Sequence, residues 1–180
     1  VPGVTTIIKE ANLGVPNYGG FSEAQRRGLT VHTATEYLDL GDLDMDDFRT
    51  RYPQYMGYVE GYQKFLAESG FKPELIEWQG FHPQLRYAGT MDRRGSMNGF
   101  MIQIDLKTGE KMAWHKIQTA GYRKLRPEWR LDKRASLYLK EDGKYDLVMH
   151  EDAEDEGVFL SALALHHWRK NNGVKNGNGD

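Results

Sequence analysis

Apolar residues change their spacing twice along the chain, and those changes divide it. Between positions 22 and 70 they recur every three or four residues, the period of a helix with one buried face. Ser22 is a good N-cap with Gln25 in the capping-box position, and the helix it opens should run to about Leu38 or Leu40, with His32 and Glu36 on one side. An acidic linker, Gly41 to Asp47, leads to a second helix expected to start near Pro53 and end before Gly70. Its face of Tyr55, Tyr58, Val59, Tyr62, Phe65 and Leu66 suits a core. From Glu74 the period shortens to that of strands. Leu75–Phe81, Leu85–Asp92 and Phe100–Lys107 read as three, the last two joined by a turn over Arg94–Gly99. Ala113–Leu125 is helical again, Ala135–Lys140 and Tyr145–His150 form a hairpin around Asp142-Gly143, and a last helix runs from Ala153 or Glu154 to Lys170. Val4–Ile8 suits either a strand or the lead into a helix, and Asn12–Gly20 reads as loop.

This order predicts an α/β (mixed α+β) fold, a central mixed sheet flanked by helices. A length of 180 residues suits one domain. We expect that domain over residues 1–170 and a disordered tail over 171–180. Cysteine is absent, which excludes disulfides, thiol nucleophiles and thiolate metal sites. No apolar run approaches the roughly 20 residues of a membrane helix, and the start lacks a signal-peptide pattern, so the expectation is a cytoplasmic protein without a membrane partner. Net charge is only −2, yet Arg123, Lys124, Arg126, Arg130, Lys133 and Arg134 cluster, and a polarised surface can bind phosphate on one face.

The chemistry concentrates in Ala88–Tyr122. Asp105 and Lys107, two apart in a strand, project from one face, and the hairpin can bring Asp92 beside Asp105. Close carboxylates repel unless a cation lies between them. Lys107 is one candidate, as in a plain surface salt bridge. A divalent ion is the other, and all-oxygen ligation favours Mg²⁺ or Mn²⁺. Beside such an ion, Lys107 can orient a water or offset charge gathering on phosphorus. Arg93 and Arg94, next to Asp92, and the basic segment Arg123, Lys124 and Arg126 are placed as phosphate contacts. His115 shares a helix face with Gln118 and Tyr122 and is a further candidate.

Four ordered segments carry a resemblance: Arg27-Gly28-Leu29-Thr30-Val31-His32, Gly89-Thr90-Met91-Asp92, Ile104-Asp105-Leu106-Lys107, and Gln118-x-x-x-Tyr122. Together they resemble the PD-(D/E)xK nuclease superfamily in its RecB-like branch, which includes bacteriophage exonucleases, over about residues 2 to 125. The resemblance implies a restriction-endonuclease-like core. It implies that His32, Asp92, Asp105 and the Leu106 backbone carbonyl ligate one or two Mg²⁺ or Mn²⁺ ions, with Glu77 assisting a second. Lys107 would be the catalytic lysine. Gln118 and Tyr122 would lie near the scissile phosphate, and Arg27 of the upstream motif would contact DNA. Asp105 stands where many members carry Glu, Met91 where they carry Pro, and Leu29-Thr30 shifts the upstream motif slightly.

The activity so implied is a metal-dependent exonuclease acting on the ends of linear duplex DNA in recombination or repair, in the host cytoplasm if phage-encoded. A single-strand annealing recombinase and further copies of the chain are the partners such enzymes suggest. A structure-specific endonuclease on the same core and a non-catalytic DNA-binding module are the alternatives.

Overall fold

In the computed structural model, which describes residues 1–16 and 22–174, the strand-period segment builds one five-stranded sheet in sequence order. The strands are β1 (Lys72–His82), β2 (Tyr87–Met97), β3 (Phe100–Lys107), β4 (Lys133–Leu139) and β5 (Tyr145–Met149). Neighbouring pairs are antiparallel except β3 and β4, which run parallel. That pair needs a crossover, supplied by the helix Trp114–Arg123. The result is a mixed α+β fold with a mixed sheet between helices.

Alternation along β3 separates two cores. Ile102, Ile104 and Leu106 face one side and join Val59, Tyr62 and Phe65. Gln103, Asp105 and Lys107 face the other, where Gln103 donates to the Thr119 carbonyl. The first side is covered by α2 (Glu23–Leu40), α3 (Met45–Arg51) and α4 (Met56–Ser69). The second is covered by α1 (Val4–Glu10), α5 (Trp114–Arg123) and α6 (Glu154–Asn171), around Ile7, Ile8, Tyr87, Leu125 and Phe159.

Local sequence accounts for most boundaries. Ser22 and Gln25 form the reciprocal capping box at the start of α2, and Gly41 closes it in a left-handed conformation. Val4–Ile8 is helical, because Val4, Ile7 and Ile8 share a buried face at helical spacing. The acidic linker is a correction. Asp44 accepts from the Asp46 and Asp47 amides and opens α3, whose early acids suit the positive end of its dipole. Pro53 opens only a 3₁₀ turn, Pro53–Tyr55, and α4 follows from Met56. The β2–β3 turn is also tighter than expected. β2 continues to Met97, and Asn98-Gly99 alone reverses the chain with φ of 50° and 85°. α5 is shorter at both ends than Ala113–Leu125. The expected loop over Asn12–Gly20 and the expected tail fall partly on 17–20 and 175–180, outside the described residues. No helix among the described residues is long and apolar enough to cross a membrane.

α5 and α4 both lie close to their neighbours. A Cβ on Gly121 would meet Phe159 at 2.7 Å and Val4 at 2.9 Å. One on Gly57 would fall 1.7 Å from the Glu141 carbonyl oxygen, a backbone atom with little freedom to retreat. Gly57→Ala is therefore expected to destabilise by about 2–3 kcal/mol, the cost of overpacking, as read from urea unfolding; a change below ~0.5 kcal/mol would mean that the β4–β5 turn moves freely.

Candidate active site

The site forms where the sheet opens. β2 and β3 pair from Met97↔Phe100 only as far as Arg93↔Ile104. Beyond that point the Asp92 carboxylate enters the gap, and its Oδ2 accepts the Leu106 N–H at 2.7 Å. A side chain has replaced a backbone partner, so the strands splay with no orphaned amide. On its other flank β2 lies against β1. Glu77, between the pairs Ile76↔Arg93 and Trp78↔Met91, has a left-handed φ of 46°. A non-glycine residue held there costs on the order of 1–3 kcal/mol. His32 arrives from α2 on the outer side. Its Nε2 lies 3.1 Å from the Leu106 carbonyl, and its Nδ1 lies 3.8 Å from Glu77 Oε1 and 3.7 Å from Asp92 Oδ2. One ligand atom each from His32, Glu77 and Asp92 thus falls within 4.8 Å of the others.

Asp105 lies outside that trio. Its Oδ2 is 2.6 Å from Lys107 Nζ but out of hydrogen-bond alignment, and is otherwise buried without a donor. Lys107 Nζ donates to Gln118 Oε1 at 2.8 Å and lies 5.2 Å from the centre of the Trp114 ring. Gln118 Nε2 in turn donates to Tyr122 Oη at 2.8 Å and to Thr5 Oγ1 at 3.1 Å. A continuous polar chain therefore runs from Asp105 through Lys107 and Gln118 to α1. Two clefts meet at His32. One of about 800 Å³ is lined by Thr5, Arg27, Leu106, Lys107 and Trp114. The other, of about 630 Å³, is lined by Leu29, Glu36, Glu77, Gln79 and Thr90.

The electrostatics show a site short of cations. Burial alone would lower the His32 pKa, yet Asp92 and Glu77 raise it to about 9. Burial raises the Asp92 carboxyl to about 6; the Asp105 charge adds to this, while His32 and Lys107 oppose it. Burial also pushes Glu77 upward, but His32 and Arg93 more than offset that and leave it below the usual glutamate value. The donor set of one imidazole and clustered carboxylates, with protons held where a cation would otherwise sit, fits a hard divalent ion.

The sign of the pH dependence follows. A group whose pKa is raised on folding stabilises fully below its unfolded value and loses that contribution as pH passes the folded one. For Asp92 the loss runs from 3.8 to about 6, and for His32 from 6.5 to about 9. Thermal midpoints measured in EDTA should therefore fall between pH 6.5 and 9, and His32→Gln should flatten that slope. A flat or rising wild-type curve would contradict the proton-holding trio.

Several expected phosphate contacts lie elsewhere. Arg93 has the register parity of Ile104, so it points to the α2 side, fully buried. There it bonds Asp39 at 2.5 Å, Glu77 at 2.8 Å, the Asp92 carbonyl at 2.7 Å and Thr35 at 3.1 Å. It is a buried structural cation rather than a DNA contact. His115 does line the larger cleft, but its ring is buried against Tyr138 Oη at 2.8 Å, and burial pulls its pKa down to about 3. Arg94 lies over the Trp129 ring and bonds Glu74 and the Arg130 carbonyl. Arg123 lines a separate 480 Å³ pocket, Lys124 pairs with Glu156 at 2.6 Å, and Arg126 lies over Trp78. None of these three lines the clefts at His32, whereas Arg27 does. The Leu106 carbonyl faces His32, and Glu36 lines the second cleft without holding the imidazole. Sequence reading missed Thr5, Thr35, Asp39 and Trp114. Thr35 and Asp39, one and two turns along α2 from His32, carried a positional signal.

No family model matches this sequence, and no curated protein matches it either. Solved structures do. The fold is similar to that of a candidate exonuclease from Eubacterium rectale, at 11% identity and a TM-score of 0.54, over 97% of this chain and 76% of that one. At that identity the likeness is one of fold alone. The protein SSO0001 also matches, at 16% identity and a TM-score of 0.41, over 93% of this chain and 84% of that one.

Proposed function

We propose that the chain is a divalent-metal-dependent deoxyribonuclease that degrades linear duplex DNA from its ends. The observation that carries this reading is the Asp105–Lys107–Gln118 chain beside the His32–Glu77–Asp92 trio. His32, Glu77 and Asp92 would hold an Mg²⁺ or Mn²⁺ ion, with the Leu106 carbonyl and Asp105 at its margin. Such an ion supplies Lewis acidity at a phosphoryl oxygen.

The rest of the chemistry belongs to side chains. Lys107, held by Asp105 and Gln118, directs its ammonium at charge developing on the phosphate, where a preorganised donor acts strongly. Asp105 Oδ2 lies 2.6 Å from Lys107 Nζ and so fixes where the ammonium stands. Gln118 is fixed by Tyr122 and Thr5, so it holds Lys107 in one rotamer. Arg27 in the larger cleft contacts the backbone of the incoming strand. The order of the four motifs supports a role of the phage exonuclease kind, in recombination or repair, alongside a single-strand annealing partner.

The test is hydrolysis of end-labelled linear duplex and of closed circular duplex, each with Mg²⁺ or Mn²⁺ and with EDTA. Release of label from linear DNA alone, abolished by EDTA, is the expected result. Nicking of the circle would favour an endonuclease on the same core, a reading that two clefts open on either side of His32 also suit. Tight DNA binding without turnover would leave a non-catalytic module.

A further inference from the structure

Three side chains flank the Lys107 ammonium. Gln118 Oε1 accepts from it at 2.8 Å, and Asp105 Oδ2 stands 2.6 Å away as an ion pair. That carboxylate also borders the proposed metal trio, where a divalent ion would draw on it and repel the lysine. The third neighbour is neutral. Lys107 Nζ lies 5.2 Å from the centre of the Trp114 ring, inside the roughly 6 Å reach of a cation–π contact. The lysine side chain is only 15% exposed, so the contact is largely out of water, where it is strongest. Packing alone does not account for an indole at position 114. It lies against the core around α1, α5 and α6, a role that any large apolar side chain could fill. A buried indole N–H ordinarily finds an acceptor, yet Nε1 of Trp114 is enclosed without a protein partner. Leucine or phenylalanine would avoid that cost in the same place. Being enclosed, the N–H is not presented to the cleft either. The His115 ring stands edge-on at 4.3 Å, and a Cβ on Gly14 would lie 4.0 Å from Trp114 Cδ1. What the indole offers in exchange is its face towards Lys107.

We propose that Trp114 is a positioning residue of this site, its π face seating the Lys107 ammonium so that the lysine keeps its place beside a divalent ion. The inference rests on the deoxyribonuclease reading given above. A π face attracts the whole cation without claiming a particular N–H. Gln118 takes one of the three ammonium hydrogens, and the ring leaves others free to turn towards a phosphate. A further carboxylate at position 114 would hold the lysine as well, but it would repel the DNA backbone. An aliphatic side chain would not hold it. Trp114 and Lys107 both line the larger cleft, so the seat lies where the strand is proposed to enter.

Trp114→Leu should lower kcat on end-labelled linear duplex by about 3- to 30-fold, the worth of a desolvated cation–π contact. Trp114→Phe should regain most of that loss. In the Lys107→Ala background, Trp114→Leu should cost no more than about 2-fold, because the ring acts through the lysine. Circular dichroism should show every variant folded. A second readout needs no turnover: the carbon–proton NMR signal of the Lys107 ε-methylene, identified by its loss in Lys107→Ala. The Trp114 ring current should place it upfield of the other lysines. Trp114→Leu should return it to them, and Trp114→Phe should keep much of the displacement. A folded Trp114→Leu protein with wild-type kcat overturns the proposal, as does an ordinary Lys107 signal in the wild type. An equal loss with and without Lys107 overturns it as well, and would make the ring a direct DNA or packing contact. A displaced signal in a wild-type chain that hydrolyses no DNA would mean that the deoxyribonuclease reading had failed, and the catalytic role of Trp114 with it.

Discussion

Lys107→Ala should reduce hydrolysis of linear duplex DNA by about 10²–10³-fold or more, the range seen when one preorganised donor to developing charge is removed. The fold should survive, because Lys107 contributes no apolar packing to either core. On the proposed role the loss should appear in kcat rather than KM, since the ammonium would act on charge that grows only as the phosphate reacts. Gln118→Ala should reproduce part of it by freeing the lysine to leave Asp105. End-label release by the purified variants, with circular dichroism to confirm folding, decides the matter. A folded Lys107→Ala protein with wild-type kcat would exclude the role assigned to this side chain.

Arg93→Met should produce the largest loss of stability, about 3–5 kcal/mol, as when one member of a buried ion pair is removed. The guanidinium is fully enclosed and ties Asp39 and Thr35 of α2 to Glu77 of β1 through β2. Its removal leaves the Asp39 carboxylate enclosed without a cation. Burial already raises the Asp39 pKa, and Arg93 opposes that rise. The deficit should therefore shrink in acid, where the carboxyl takes a proton. Urea unfolding at pH 7 and pH 5 measures both effects. A loss below ~1 kcal/mol at pH 7 would mean that α2 is held by its apolar contacts alone.

Much of the scaffold could be taken from short-range signals. Ser22 with Gln25, Asn98-Gly99 and the alternation along β3 each need only a few neighbouring residues, and each acts as its local chemistry directs. α3 escaped because its acids were taken for a solvated linker, although Asp44 is an N-cap and Asp46 and Asp47 suit a first turn. The side chain of Arg93 was misplaced despite a usable cue. With Asp92 assigned to the Asp105 face, strand alternation already sends its neighbour to the other side. His115 looked free because helix periodicity places it beside Gln118 but says nothing of the Tyr138 hydroxyl that β4 brings over it. Glu77 in the trio depended on the β1–β2 register and on an uncommon backbone angle, and neither is encoded within a few residues of that position.

That backbone angle has an evolutionary consequence. Glycine or asparagine would occupy position 77 with less strain than glutamate, but neither would supply the carboxylate that pairs with the buried Arg93. Glu77→Gly should relax the backbone, while also leaving Arg93 with one acid fewer. A descendant chain released from the need for a carboxylate in the trio would drift toward glycine or asparagine only together with a change at Arg93. The residues at 77 and 93 taken together are thus a compact gauge, among relatives, of which lineages keep the proposed metal trio.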